Sequence, residues 1–292
     1  MTPRNSRPRR PPNRAAHIVP RALAGATLQD FLVAKLGISN RKAKALVDER
    51  VIWVNRKLVW IANHRLTPGD TVEFPPYEDK KTPYEQRHVR ILAEDSDYLF
   101  ADKPAGLLSV GKDSLEDALR IQTGLQELRA VHRLDRDTSG CILCAKSPDA
   151  FNAAVAIFKT RQVLKVYNAI AAGRMEFRPS TIAEDLEQQR AVTHLRVLAA
   201  NNDITFLRLR IETGRTHQIR KHLAGIRHPV LGDHEYGLKH AKDPRIISIA
   251  RQMLHSVEIE MPHPTHPGKQ LKAHSPLPAD FRRTLKLFGL GR

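Results

Sequence analysis

The stretch Ala130-Val131-His132-Arg133-Leu134-Asp135-Arg136-Asp137-Thr138-Ser139-Gly140, followed directly by Cys141-Ile142-Leu143-Cys144-Ala145, decides how the rest of the chain is read. It sets two arginines and two carboxylates within a few residues between apolar runs, a charge density that a turn buried for packing alone would not tolerate. Two readings stay open at this point. One is a catalytic loop with Asp135 as its working group; the other is a solvated loop in which Asp137, Thr138, Ser139 and Gly140 turn the chain. The apolar run that follows reads as a strand, where residues three apart face opposite ways. Cys141 and Cys144 then read as two small buried hydrophobes and not as a metal or redox pair, which fits a reducing compartment.

At 292 residues the chain can build one large core or two domains without a covalent staple. Its 48 Lys and Arg against 31 Asp and Glu leave a formal charge of +17, far more than solubility requires. A polyanionic partner follows, with nucleic acid the first expectation. The sequence offers no run of apolar residues long enough for a membrane helix and no apolar signal core near the start. The expectations are a cytoplasmic protein without membrane contact, and a monomer.

Residues Met1 to Arg21 hold six arginines, five prolines and no acid, and read as a disordered basic tail that touches phosphates without reading sequence. From residue 22 to 75 the pattern is a small α+β domain. Thr27 with Asp30 caps a helix bearing Leu28, Phe31, Leu32 and Leu36, and Gly37 ends it. Ser39 caps a second helix, with Ala43, Leu46 and Val47 as its buried stripe and Arg41, Lys42 and Lys44 on its other side. Short strands follow at Val51–Val54, Lys57–Trp60 and Thr71–Phe74. The proline- and charge-rich tract 76–88 reads as a linker to a domain over 89–292.

In that larger domain, strands are expected at Val89–Ala93 and Tyr98–Ala101, a helix from a Ser114–Asp117 capping box through Ile121, a strand at Cys141–Ala145, and a helix started by Ser147 and Pro148. Between Gln162 and Ala171 the alternation puts Leu164, Val166 and Ile170 on a packed face and Lys165, Tyr167 and Ala169 on a free one. Strands at Thr193–Leu198 and Ile204–Ile211 lead to Thr213-Gly214-Arg215-Thr216-His217-Gln218-Ile219-Arg220, read as a turn at Gly214 entering a helix on which Thr216 and Arg220 flank the apolar side. The mixture of helices and strands without strict alternation makes the fold α+β.

Four stretches, in order, resemble the RluA-type pseudouridine synthases: Asp102-Lys103-Pro104-Ala105-Gly106-Leu107-Leu108-Ser109, then His132 to Gly140, then Lys165-Val166-Tyr167-Asn168-Ala169, and finally Thr213 to Arg220. A further match runs through His228-Pro229-Val230-Leu231-Gly232-Asp233 with Tyr236-Gly237, and Leu254-His255. Separately, Ile38 to Lys44 with Val51 to Asn55 resembles a small RNA-binding domain named after a small-subunit ribosomal protein. Where the family often has glycine before His228, this chain has Arg227, which puts the local turn in doubt.

The resemblance implies a mixed, largely antiparallel sheet with a central RNA-binding cleft, and an isomerase that turns uridine in RNA into pseudouridine with neither metal nor cofactor. It places the nucleophile at Asp135, a base-stacking tyrosine at Tyr167, the arginine that pairs with the aspartate at Arg220, and at Arg133 a side chain that fills the gap left by the flipped uridine. Lys103 and Arg215 are expected in RNA contacts or in packing support, and Arg41, Lys42 and Lys44 on phosphates. The chemistry suits these types. Moving uracil from a nitrogen to a carbon linkage needs an anion beside the sugar or base. Drying disfavours the charged form of a carboxylate, so a paired hydrogen bond from Arg220 would hold Asp135 ionised. Base flipping takes a few kcal/mol, of which stacking on Tyr167 returns an estimated ~1–3 kcal/mol. The histidines are assigned no catalytic role. Ribosomal RNA of the large subunit is the favoured substrate, with transfer RNA, a non-catalytic RNA-binding assembly factor and a nucleic-acid glycosylase as alternatives.

Overall fold

The computed structural model of the chain describes residues 15–38, 40–48, 51–76, 88–160, 162–238 and 241–291, without the side chains of residues 41, 42 and 45. Two compact units emerge, one ending at Thr82 and the other starting at Pro83. Residues 1–14, the Ser39 cap and residues 77–87 of the expected linker lie outside the described residues.

The first unit comprises β1 (Ala15–Ile18), α1 (Leu28–Leu36), α2 (Asn40–Asp48), β2 (Trp53–Val54), β3 (Lys57–Leu58) and β4 (Thr71–Phe74), with an antiparallel sheet in the order β1-β4-β2-β3. The capping box at α1 forms in both directions, and Gly37 closes the helix in the left-handed region at φ 64°. Ala43, Leu46 and Val47 of α2 are buried in one core with Leu28, Phe31 and Leu32. The tail is shorter than expected. Ala15–Ile18 pairs with β4 and Val19 is buried, because the open edge of β4 supplies partners that a four-residue run cannot advertise in its own sequence.

The second unit contains β5 (Arg90–Glu94), β6 (Tyr98–Lys103), α3 (Leu115–Thr123), β7 (Arg129–Ala130), β8 (Ser139–Ala145), α4 (Pro148–Phe158), β9 (Leu164–Ala172), β10 (Ser180–Ile182), β11 (Thr193–Ala200), β12 (Ile204–Ile211), α5 (Gln218–Gly225), α6 (Pro244–Ile247), β13 (Leu254–Pro262), β14 (Gln270–His274) and α7 (Ala279–Leu287). Eight strands run in the order β10-β11-β12-β9-β13-β8-β6-β5, with β7 on β8 and β14 on β13. Among the described residues the β8–β13 pair is parallel and every other pair of this sheet antiparallel. This is the mixed, largely antiparallel α+β domain that the sequence implies. Cys141 and Cys144 pack on opposite faces of β8, one among Tyr98 and Leu143, the other among Leu99 and Leu119.

The parallel junction explains Gly140. It is the second residue of β8 and does not turn the chain, and it has φ 115°. A Cβ there would lie 2.1 Å from the Ser256 carbonyl oxygen, so only glycine lets the two strands approach. At Arg227 the turn doubted from the sequence takes a left-handed residue, of the kind glycine adopts most readily: Arg227 follows α5 at φ 63°. Two outcomes follow for urea denaturation. Gly140→Ala should destabilise the fold by roughly 2 kcal/mol or more, since backbone has to move. Arg227→Gly, at an exposed position, should stabilise it by about 0.5 kcal/mol, the left-handed penalty relieved less the added chain entropy.

Candidate active site

The loop from Leu134 to Thr138 is held from two sides by groups far away in sequence. On one side stands the 103–109 segment. Lys103 is fully buried and its ammonium donates to the carbonyls of Leu107 (2.7 Å), Arg136 (2.9 Å) and Pro104 (3.1 Å). The Gly106 N–H also donates to the Arg136 carbonyl at 2.9 Å, and the Ser109 hydroxyl bridges the Leu134 carbonyl and N–H, each at 2.9 Å. On the other side Arg251 donates to the Asp137 carbonyl at 3.0 Å while gripping Asp280 at 2.6 and 3.0 Å. Gln252 donates to Thr138 Oγ1 at 2.7 Å. Lys103 is therefore structural, and its expected place in RNA contacts is corrected: a buried ammonium needs acceptors for its three N–H groups, and three carbonyls supply them. Burial pulls its pKa down to about 7, against the opposing pull of Asp137.

The loop sets Asp135 in a cleft of about 440 Å³ lined also by Arg133, Tyr167, Arg215, His217 and Arg220. Arg220 Nη1 donates to Asp135 Oδ2 at 3.2 Å, and Gln252 Nε2 reaches the same oxygen at 3.4 Å. His217 Nε2 stands 3.7 Å from Oδ1. The expected paired hydrogen bond is elsewhere: Arg220 Nε and Nη2 fork onto the two oxygens of Asp233 at 2.6 and 2.8 Å, and Nη2 also meets Glu235 at 3.2 Å. The fork goes to Asp233 because that carboxylate is buried with the guanidinium, whereas Asp135 has to stay open to the cleft. Burial alone would raise the Asp233 pKa, but Arg220 and the N–H groups of Tyr236 and Glu235 outweigh it and hold the carboxyl below its ordinary range.

Helix α5 aims Arg220. Its first residue, Gln218, accepts from the Thr213 hydroxyl (2.7 Å) and the Arg215 N–H (3.1 Å) and donates to the Val192 carbonyl (3.0 Å). These bonds keep 213–217 as a loop, so the helix begins later than the sequence suggests. Thr216 lies outside it, and His217 takes the left-handed turn at φ 56° in place of Gly214.

Tyr167 is buried at 7% exposure among Leu134, Ile219 and Leu254, which corrects the expectation of a free face on β9; α5 and the loop cover it and leave the ring at the cleft wall. Burial pushes its phenol pKa well up. Arg133 and Arg215 are exposed at the rim, Arg215 donating to the Arg190 carbonyl at 3.2 Å. Lys44 belongs to the first unit, where it meets Asp48 at 3.5 Å; the side chains of Arg41 and Lys42 lie outside the described residues. Asp233, Glu235 and Gln252 escape the sequence reading. Gly232-Asp233 stands in a matched stretch, but Gln252 carries no local signal.

An RNA pseudouridylate synthase family model matches residues 97–225. The ribosomal large subunit pseudouridine synthase D of Pasteurella multocida is 32% identical over 275 residues, covering 83% of this chain and 85% of its own. The chain belongs to the RluA-type RNA pseudouridine synthases. An uncharacterized RNA pseudouridine synthase of Mycobacterium bovis is 32% identical over 302 residues, covering 92% of this chain and 96% of its own. A solved structure, human RNA pseudouridylate synthase domain containing 1, aligns with a TM-score of 0.57 at 26% identity, over 68% of this chain and 86% of that one. As a pseudouridine synthase the chain is an isomerase converting uridine to pseudouridine in RNA. Among the described residues no helix is long and apolar enough to cross a membrane.

The Arg220 cluster makes a testable statement about this synthase. Asp233→Asn should cost roughly 3 kcal/mol in urea denaturation, since it leaves a buried guanidinium half-paired. The Asp233 contribution is present above the unfolded carboxylate pKa and lost as pH falls through the lower folded value. The stability gap between wild type and variant should therefore close in acid.

Proposed function

We propose that this chain modifies uridines of large-subunit ribosomal RNA, with Asp135 as the nucleophile. The observation that carries the reading is Asp135 at the cleft, one oxygen bonded to a guanidinium that is itself fixed by a buried carboxylate. The name of the Pasteurella relative and the +17 charge support ribosomal RNA as substrate.

In this reading the N1–C1′ bond of a flipped uridine breaks while the Asp135 carboxylate stabilises positive character or forms an adduct beside it. The uracil turns, C5 bonds to C1′, and the C5 proton leaves while N1 gains one, so atoms balance without a co-reactant. Arg220 donates to Asp135 Oδ2 and orients the carboxylate in the cleft. Tyr167 offers its ring for stacking, and its raised pKa means that the phenol stays neutral. Arg133 at the rim fills the vacated stack, Arg215 holds the strand, and the α2 face with Arg41, Lys42 and Lys44 meets phosphates.

Asp135→Asn should abolish tritium release from RNA labelled at uridine C5 while leaving RNA affinity within a few fold; turnover by that variant refutes the nucleophile. Running the assay on large-subunit ribosomal RNA and on transfer RNA separates the substrates, and free uracil as product would instead mean a glycosylase. Lys44→Ala should weaken binding and lower the slope of log affinity against log salt by about 1.

A further inference from the structure

A second cluster lies where the β13–β14 connection, His263-Pro264-Thr265-His266, meets the β5–β6 turn carrying Asp95 and Asp97. One ligand-type atom from each of Asp97, His263 and His266 lies within 4.8 Å of the other two. The two imidazole Nδ1 atoms are 3.2 Å apart, and His266 Nδ1 is 3.9 Å from Asp97 Oδ2. Ring nitrogens this close repel unless a positive particle lies between them, either a proton or a metal ion. Tetrahedral zinc, with bonds to nitrogen of about 2.0–2.1 Å, sets its ligand nitrogens about 3.3 Å apart. That is nearly the separation of the two Nδ1 atoms, and Asp97 Oδ2, 3.9 Å from His266 Nδ1 and within 4.8 Å of the His263 ligand atom, has to close on them for all three to ligate.

The protonation pattern suits a ligand set. His263 Nε2 donates to Asp95 Oδ2 at 3.0 Å, which leaves Nδ1 as the lone pair. Nδ1 accepts the N–H groups of Thr265 and His266 at 3.3 and 3.2 Å, two long contacts on the lone pair that an ion would have to replace. A carboxylate behind an imidazole fixes the ring and raises its basicity, the usual support of a ligating histidine. Thr265 Oγ1 sits where the three groups converge, 2.6 Å from Asp97 Oδ2 and 3.1 and 3.3 Å from the two Nδ1 atoms. An ion would turn this hydroxyl aside or take it as a fourth ligand. The His263 side chain is 4% exposed and that of His266 44%, so the position is anchored on one side and reachable from solvent on the other.

We propose that Asp97, His263 and His266 bind a divalent transition-metal ion, zinc foremost, that clips the β13–β14 connection to the β5–β6 turn. The cleft around Asp135 uses none of these residues, so the ion is structural and takes no part in isomerisation. A histidine ligates only through an unprotonated ring nitrogen, so affinity falls as pH falls.

The test uses the full chain stripped by a chelator and titrated with zinc against a chromogenic competitor. One equivalent should bind at neutral pH and leave in mild acid, the melting temperature should rise with zinc, and Co²⁺ should give tetrahedral visible absorption. His266→Ala and Asp97→Asn should each lose about tenfold or more in affinity. A full chain that takes up no zinc, or either variant binding as the wild type does, overturns the proposal.

Discussion

One buried guanidinium organises the catalytic unit. Arg220 is 6% exposed and surrounded by the carboxylates of Asp233, Asp135 and Glu235, with the Tyr236 ring 5.0 Å from its carbon. A charge so placed is tolerable only with its donors satisfied, and the fork onto Asp233 takes two N–H groups while Glu235 and Asp135 take one each. That fork fixes the direction of Nη1, and Nη1 in turn fixes Asp135. The cost of burying the cation is thus met away from Asp135, which stays open to the cleft.

The loop that carries Asp135 is held with the same economy. Most of its grips are backbone carbonyls: Lys103 takes one at residue 136, Ser109 one at residue 134, Arg251 one at residue 137, and Gln252 adds the Thr138 hydroxyl. Carbonyls are indifferent to side-chain identity, so holding the loop by them lets the Asp135 side chain turn to the cleft. The parallel junction at Gly140 and Ser256 anchors the strand that begins where the loop ends. Rigid strands on one side and bonded carbonyls on the other place the carboxylate before any substrate arrives.

Much of this was legible in the residues, for reasons that differ from element to element. Helix α1 announced itself through Thr27, Asp30 and Gly37 because capping is local chemistry. The strand at Cys141 to Ala145 was legible because its apolar run has no other economical place than a core. Asp135, Tyr167 and Arg220 stood out through family resemblance, and the fold brings all three to one cleft. What stayed hidden depends on partners distant in sequence. Strand β1 exists because β4 has an open edge; Gly140 looked like a turn residue until β13 lay beside it; Lys103 looked like an RNA contact until three carbonyls closed around it. The partition of Arg220 between Asp233 and Asp135 was likewise unreadable, since sequence shows that an arginine can pair with a carboxylate but not which of several it grips.

The single donor that Arg220 spares for Asp135 makes the two carboxylate oxygens inequivalent. Oδ2 receives both Arg220 and Gln252, while Oδ1 faces His217 at 3.7 Å, outside hydrogen-bond reach. An oxygen engaged by two donors has its lone pairs drawn away from any electrophile, and the other keeps them. In the proposed mechanism the protein therefore distinguishes two chemically identical atoms: Oδ1 is left open to the electrophile and Oδ2 is held by the donors. A symmetric functional group thereby acquires a handedness, imposed by a helix that begins more than eighty residues further along the chain.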